Sequence, residues 1–148
     1  MLVKDIMDQK YPSIYADELA TKARAVLRER ALRILPVVDE HKRLVGVISR
    51  NDIMNITSSV SPIKVNGIMT THPHKVNPDM DAVQAMREMV RRDEWYAPVI
   101  KSSQDLSYIG MLSLEPFYSQ IVGKKRRQTV NASIKHYVNQ TLDLLSKR

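Results

Sequence analysis

The segment RLVGVISRNDIM, residues 43–54, places a serine at the end of an apolar run and an aspartate three residues later. Ser-x-x-Asp ahead of an apolar stretch is typical of a helix N-terminus, where hydroxyl and carboxylate each accept a backbone N–H. The same groups can bind a ligand, since a carboxylate accepts hydrogen bonds from the diol of a ribose. Ser49 and Asp52 are therefore candidates for a helix cap, a sugar-binding pair, or both. Arg50, next to Ser49, can reach a phosphate.

A second serine of this kind has different neighbours. In Ser113-Leu114-Glu115-Pro116, proline stands where the aspartate would be. Proline fits a first helical turn, because its missing N–H would have no partner there, but it cannot bind a diol. A helix turns the side chain of the adjacent Glu115 by about 100° from that position. The sequence therefore predicts one competent diol site, at Asp52, and a second that is empty or altered.

An internal repeat explains why two such serines exist. VKDIM (residues 3–7) recurs as VNGIM (65–69) and LPVVD (35–39) as APVIK (97–101), both 62 positions later, whereas LVGVIS (44–49) recurs as YIGMLS (108–113) 64 positions later. The extra two residues predict an insertion within a loop at residues 101–107. Three matched blocks in the same order indicate a duplicated unit.

Each unit reads as β-α-β-β-α. An extended segment at residues 13–15 or 75–77 precedes a helix that we expect Asp17 or Asp79 to cap. Two strands follow, predicted at residues 34–39 and 43–49 in the first unit, and a short helix begins at Arg50 or Leu114. The predicted buried helix faces are Leu19, Ala23, Val26 and Leu27 in the first unit and Val83, Met86, Met89 and Val90 in the second. A unit of about 55 residues is marginal alone, so the two should pack together.

Composition excludes several classes of protein. The 148 residues include no cysteine, which rules out disulfides and thiolate chemistry. They contain no apolar run long enough to span a membrane and no secretory signal at the N-terminus, so we expect a cytoplasmic location. The four glycines form no phosphate-binding loop, and no acid–base pair or metal cluster stands out. We therefore expect a protein that is not an enzyme.

The C-terminal segment carries most of the net charge of +7. Residues 119–148 hold seven Lys or Arg against one acid, Asp143, and four of the basic residues are consecutive: Lys124, Lys125, Arg126 and Arg127. Such a run is usually solvated, but it can also contact nucleic-acid phosphates. The apolar spacing that follows predicts an amphipathic helix that packs on its own module or on a dimer mate, through Val130, Ile134, Tyr137, Val138, Thr141, Leu142 and Leu145.

These ordered motifs, present twice over roughly residues 1–122, resemble the CBS-domain family in its tandem form, the Bateman module. The resemblance implies an α+β fold of two tandem β-α-β-β-α CBS repeats, residues 1–60 and 61–122, packed with pseudo-twofold symmetry, with residues 123–148 as a basic segment and C-terminal helix. It also implies clefts between the repeats that bind adenosyl ligands: AMP first, or ADP or ATP, with S-adenosylmethionine and NAD as further possibilities. A homodimer and an unidentified regulated partner protein are expected.

The same resemblance implies where a ligand would bind. The adenine would lie against Ser13, Ile14 and Tyr15 and near Leu35 and Pro36, while Ser49 and Asp52 hold the ribose and Arg50 lies near the phosphate. Further phosphate contacts would come from the facing repeat, at His72, His74 and Lys75. Two histidines without a third ligand do not make a metal site. Trp95 and Tyr96 can stack a base or close a core.

Three hypotheses follow. The first is a regulatory module that binds an adenine nucleotide at one cleft and transmits a change of shape to a partner. The second is a protein that associates with nucleic acid through its basic segment, with the repeats as a dimerising scaffold. The third is a structural dimerisation module whose clefts bind nothing.

Overall fold

In the part of the chain that the structure describes, the strands form two sheets, each built around the hairpin of one repeat. The computed structural model describes residues 1–54, 56, 61–117 and 132–146, and in the last of these ranges it describes side chains from Val138 onward. The first sheet has four strands in the order β1-β2-β3-β4, with β1 parallel to β2 and the other pairs antiparallel. The second pairs β5 with β6 in antiparallel register.

The elements follow the chain in a repeating order. The helices are α1 (Val3–Ile6), α2 (Ala20–Glu29), α3 (Arg50–Ile53), α4 (Ala82–Arg91) and α5 (Ala132–Ser146), with a 3-10 turn at Val65–Gly67. The strands are β1 (Ile14–Tyr15), β2 (Ile34–Val38), β3 (Leu44–Ser49), β4 (Thr70–Thr71), β5 (Tyr96–Ser102) and β6 (Asp105–Ser113). The first repeat is thus β1-α2-β2-β3-α3. The second matches it, with Val76 bridging Val99 in parallel where β1 pairs with β2.

The predicted α+β architecture of two tandem repeats is confirmed, but three local predictions are wrong. The N-cap of α2 is Leu19 and that of α4 is Asp81, whose carboxylate accepts the N–H of Gln84 at 3.0 Å. Asp17 and Asp79 lie two residues too early, in the turns that precede the helices. At the N-cap, Leu19 lies outside the buried face and is 44% exposed. The predicted loop at residues 101–107 is mostly strand, because β5 and β6 continue to a tight turn at residues 103–104.

The first segment of each repeat packs into the core of the other repeat. Val3 is buried with the core of the second repeat, and Val65 with the core of the first. The backbone contacts match in the two halves: Val3 N–H donates to Met80 O and Val65 N–H to Glu18 O, both at 2.9 Å. This exchange joins the two repeats through their cores as well as through their surfaces.

The exchanged segments then cross the partner repeat at a glycine. After α1 the chain bridges from Asp8 to Met111 in β6, and after the 3-10 turn β4 pairs with β3. A Cβ built on Gly46 would lie 2.6 Å from Thr70 O, and one on Gly110 would lie 3.0 Å from Asp8 O. Only a residue without a Cβ allows the two backbones to approach so closely at Gly46.

The helix α5 packs along α4, as the apolar spacing predicts. Val138 and Leu142 are buried in the core of the second repeat, and Leu145 is partly buried against it. Arg87 on α4 ties the helix from outside, donating to Asn139 and forming an ion pair with Asp143. The basic run from Lys124 to Arg127, and Val130, lie outside the described residues, so the proposed nucleic-acid contact stays a prediction.

Replacing Gly46 with alanine should destabilise the protein. The added methyl would meet a backbone carbonyl that cannot move without breaking the β3–β4 pairing, so we expect a loss of about 1–3 kcal/mol, as for other overpacked sites. Urea unfolding monitored by circular dichroism measures the loss. Gly67→Ala is the control, since its Cβ would meet only Ile63 Cγ2, at 3.9 Å. Equal stability of the two variants would contradict the role assigned to Gly46.

Leu142→Ala should cost about 2–5 kcal/mol, because it leaves a cavity beneath α5. Leu144→Ala, in the same helix at a side chain that is 67% exposed, should change stability little. Thermal melting of both variants tests the packing of α5. If Leu142→Ala melts like Leu144→Ala, α5 does not cover this core in solution.

Candidate functional site

Ser49 and Asp52 form a complete helix cap. Ser49 ends β3, and its Oγ accepts the backbone N–H of Asp52 at 3.3 Å. In return, Asp52 Oδ2 accepts the backbone N–H of Ser49 at 2.7 Å and its hydroxyl at 3.0 Å. The capping interpretation is therefore confirmed, while sugar binding stays a prediction. The two roles are compatible, because a carboxylate has two oxygens and each accepts more than one hydrogen bond.

The first cleft, which we call the Ser49 cleft, lies between the two repeats and has a volume of about 590 Å³. Ile34, Val47 and Ser49 form its wall on the first repeat. The segment after β4 and the connection from α4 to β5 form the opposite walls, through residues 70–74 and 92–96. Asp52 does not itself line the cleft; its half-buried carboxylate lies one hydrogen bond behind Ser49. A volume of this size is typical of small-molecule sites.

Two histidines predicted to contact phosphate line this cleft. His72 and His74 lie on the segment that follows β4, and His74 Nδ1 is 2.8 Å from Glu94 Oε2. This pair links the segment after β4 to the connection that leads into β5. Lys75, the third predicted phosphate contact, lines an adjoining surface pocket instead of the Ser49 cleft.

Three arginines also line the Ser49 cleft, and sequence reasoning found only one of them. Arg33 and Arg92 were missed, although each lies at a connection from a helix to a strand. Arg92 is positioned by Glu88: hydrogen bonds from Arg91 and Arg92 lower the pKa of the Glu88 carboxyl to about 2, so it stays ionised. Arg50 donates from Nε to Leu32 O at 2.6 Å, which directs part of its guanidinium to the end of α2 and away from the cleft.

The residues predicted to bind adenine do not all meet at this cleft. Ile14 is buried in the core of the first repeat, and Tyr15 lines a pocket at the far end of β2. Leu35 and Pro36 are buried within β2, beside Ile34, which does line the cleft. Ser13 is not among the residues that line this cleft. The structure thus brings Ser49, Arg50, His72 and His74 together, with Asp52 behind them, but leaves residues 13–15 elsewhere.

The second cleft, which we call the Pro116 cleft, has a different character. It measures about 560 Å³ and is lined by Ile6, Asp8, Tyr11, Tyr96, Met111, Ser113, Glu115, Pro116 and Phe117. Among the described residues that line it are two carboxylates and no Lys, Arg or His, whereas those that line the Ser49 cleft include three arginines and two histidines against two acids. The hydroxyl of Ser113 accepts the N–H of Glu115 at 3.0 Å, so this serine is also engaged with the backbone that follows it.

Tyrosines separate and close the two clefts. Tyr96 lines both, and its hydroxyl donates to Glu115 Oε2 at 2.5 Å. The Tyr11 ring lies 6.3 Å from it, and the Tyr11 hydroxyl donates to Ile34 O at 2.6 Å. Burial raises the pKa of Tyr11 well above its ordinary value, so this ring stays neutral in the working range of the protein. Trp95, the other candidate for base stacking, lines the Ser49 cleft and packs against the second core.

Two further classes of feature were sought in the described part of the chain. No group of three or more metal-ligating side chains is arranged there to hold an ion. Nor do the described helices include one that is both long and apolar enough to cross a bilayer.

Comparison with known proteins identifies the repeat. The model of the CBS domain matches this chain twice, at residues 3–59 and 65–115. The CBS-domain pair of protein MJ0100, solved with 5′-methylthioadenosine and S-adenosyl-L-methionine, superposes with a TM-score of 0.70 at 25% identity, covering 84% of this chain and 98% of that one. The CBS domain of a bacterial CNNM/CorC-family Mg²⁺ transporter, solved with ATP, gives 0.69 at 25% identity, covering 84% and 89%.

Curated relatives are longer proteins. Homoserine O-acetyltransferase of Methanococcoides burtonii is 32% identical over 113 residues, which are 76% of this chain but 22% of that protein. The chain spans between 22% and 37% of the length of the curated relatives it matches.

Asp52→Ala should weaken the protein even without ligand. Losing the carboxylate leaves the Ser49 N–H without its acceptor, so we expect a loss of about 0.5–2 kcal/mol, as for other N-terminal caps. Chemical denaturation of the ligand-free protein measures this, with the exposed neighbour Asn51→Ala as control. An unchanged free energy of unfolding in Asp52→Ala would contradict the cap.

Proposed function

This chain belongs to the CBS-domain family, and from that premise we propose that it is a regulatory module that binds one adenine nucleotide in the Ser49 cleft. The protein is not itself an enzyme in this proposal: ligand occupancy changes its shape, and the change is transmitted to a regulated partner. The observation that carries the proposal is the charge of the two clefts. Five basic side chains line the Ser49 cleft, in front of Asp52, whereas the described lining of the Pro116 cleft, where proline replaces the aspartate, has none; each cleft has two carboxylates.

The ribose end of the proposed site rests on Asp52. Its Oδ2 already accepts two hydrogen bonds from Ser49, which lines the cleft in front of it, so a diol that enters past Ser49 would bind chiefly through Oδ1. Ser49 then holds the carboxylate in place, so the hydrogen bonds of the cap also fix the position of the group that would bind the sugar. A carboxylate fixed in this way loses little conformational freedom when a ligand binds, which favours affinity.

The phosphate end rests on the basic lining of the same cleft. Arg33 and Arg92 would neutralise a phosphate, because guanidinium groups bind its oxygens in pairs, and His72 could hydrogen-bond to it. Arg50 and His74 are partly engaged with protein groups, so their contribution would be smaller. This distribution favours AMP, ADP or ATP over the sulfonium of S-adenosylmethionine, which would add a positive charge to a basic cleft. AMP is the first candidate, and NAD remains a possible ligand for the experiment to exclude.

Relatives of similar fold support the adenosyl class. The MJ0100 pair was solved with 5′-methylthioadenosine and S-adenosyl-L-methionine, and the CNNM/CorC domain with ATP. These molecules share the adenosine group and differ in what it carries. The adenosine part is therefore the element we transfer to this chain, and the charge of the cleft selects the remainder.

Ligand binding would act on the partner through the walls of the cleft. The first repeat supplies Ser49, the segment after β4 supplies His72, and the second repeat supplies Arg92. A phosphate that contacts all three would draw the walls together, and since each repeat holds the other's first segment, the change would reach both cores. A homodimer would present two such modules to the partner.

Isothermal titration with AMP, ADP, ATP, S-adenosylmethionine and NAD tests the proposal. We expect one site per chain for a nucleotide, loss of binding in Asp52→Ala, and weaker binding of adenosine than of AMP because adenosine lacks the phosphate. At a ligand concentration about a hundred times the Kd, the stability of the wild type should rise by about 2.7 kcal/mol.

The matched control is Ser113→Ala, which alters the equivalent serine in the Pro116 cleft and should leave nucleotide binding unchanged. Two equal sites per chain, or full binding by Asp52→Ala, would contradict the assignment to the Ser49 cleft. No binding of any of the five compounds would overturn the sensor proposal in favour of a structural dimerisation module or of the basic segment as the functional part.

A further inference from the structure

The Pro116 cleft has the room for a ligand but lacks the group that would hold a ribose. Proline stands at the position that corresponds to Asp52, and the hydroxyl of Ser113 accepts the backbone N–H of Glu115. The cleft is nearly as large as its counterpart, at about 560 Å³ against 590 Å³. A cavity of this size is typical of small-molecule sites. The side chains that line it therefore indicate a ligand of a different kind.

Two tyrosine rings form one corner of the Pro116 cleft. The ring centroids of Tyr11 and Tyr96 are 6.3 Å apart, and their planes are inclined by 47°. A cation is attracted to the face of an aromatic ring when it lies within about 6 Å of the centroid, so one charged group can lie within that distance of both rings. The hydroxyls of these tyrosines donate to Ile34 O and to Glu115 Oε2, which holds the two rings in place.

Negative charge lies beside this aromatic corner. Asp8 and Glu115 both line the cleft, and none of the described residues around it is Lys, Arg or His. Burial raises the pKa of Tyr11 and of Tyr108 well above the ordinary value, and the charge of Asp8 adds to the rise in both, so its carboxylate lies close to these tyrosines. Arg30 acts on Tyr11 in the opposite direction, but it does not line the cleft.

The remaining lining of the cleft is apolar. It consists of Ile6, Met111, Pro116 and Phe117, apart from Ser113. A strongly hydrated ion such as Na⁺ would lose its water against this surface without gaining equivalent partners. A cation whose charged atom carries alkyl groups would instead place those groups against the apolar side chains and keep its charge near the carboxylates.

We propose that the Pro116 cleft binds a small organic cation with alkyl groups on its charged atom, such as a quaternary ammonium ion. The tyrosine corner receives the cation, the carboxylates of Asp8 and Glu115 balance its charge, and the apolar lining contacts its alkyl groups. Aromatic rings recognise quaternary ammonium ions in this way. A second nucleotide fits poorly, because its phosphates would meet two carboxylates. Tyr96 is the one described residue that this site shares with the Ser49 cleft, so the proposal does not depend on the nucleotide.

Titration of the full chain, followed by two-dimensional NMR of the backbone amides, tests this site. The probe is choline chloride, and the comparison ligand is 3,3-dimethyl-1-butanol, which has the shape of choline but carbon in place of the charged nitrogen. Sodium chloride at equal concentration shows the effect of salt alone. We expect choline to shift the amides of Asp8, Met111 and Glu115, and to bind about tenfold or more tightly than the neutral alcohol.

Two variants locate the binding. Asp8→Asn removes a charge but keeps an oxygen for the N–H of Lys10, which Asp8 Oδ1 accepts at 2.9 Å, so the fold should survive while choline binds about threefold or more weakly. Tyr11→Leu removes one ring and should weaken choline by about tenfold, with a melting curve to verify folding. Asp17→Asn is the matched control for the first variant, since Asp17 is exposed and does not line the cleft.

Three results would overturn the proposal. One is equal affinity for choline and the neutral alcohol, because the charge would then contribute nothing. Another is equal weakening in Asp8→Asn and Asp17→Asn, which would indicate a general effect of net charge. The third is the absence of any amide shift beyond those that sodium chloride causes. Shifts confined to the Pro116 cleft, with selective loss in Asp8→Asn, would support it.

Discussion

The close crossing of two backbones at Gly46 and Gly110 is the constraint on which the rest of the structure depends. At each crossing, the first segment of one repeat passes over the central hairpin of the other after placing a valine in its core. The segment that emerges from the crossing at Gly46 carries the histidines of the Ser49 cleft, and the one that emerges at Gly110 carries Tyr11 of the Pro116 cleft. Both clefts are thus consequences of one exchange, and their walls belong to both repeats.

The duplicated sequence gives this crossing in both halves of the chain, yet the two halves differ in charge. Where the first half of the chain has Asp52, the second has Pro116; where the second has Met86 and Val90, the first has Arg24 and Arg28. The backbone tolerates these differences because none of these six residues belongs to a paired strand. An approximately symmetric fold can therefore present two dissimilar clefts and two dissimilar outer faces.

The repeat, the strand pattern and the buried faces of the helices could be predicted from sequence because they depend on local periodicity. Val83, Met86, Met89 and Val90 recur at helical spacing and are all buried. The helix starts were harder to predict, since Asp79 and Asp81 are both good caps and only the backbone path selects the second. At the site, Ser49 and Asp52 were found because they lie together in sequence. Arg33 and Arg92 were missed because distant elements bring them to one cleft. The adenine-binding role of residues 13–15 stays a prediction, although none of them lines this cleft.

The exchange of first segments between the repeats also determines the order in which parts of the fold can form during translation. The first repeat cannot close its own core when its last strand leaves the ribosome, because Val65 and β4 have yet to be made. The N-terminal segment can pair only later, because its partner strand, β6, ends at Ser113. Contacts of such long sequence separation form late and slowly. Until then the nascent chain exposes an incomplete core, and the two repeats reach their native state together, after β6 has been made.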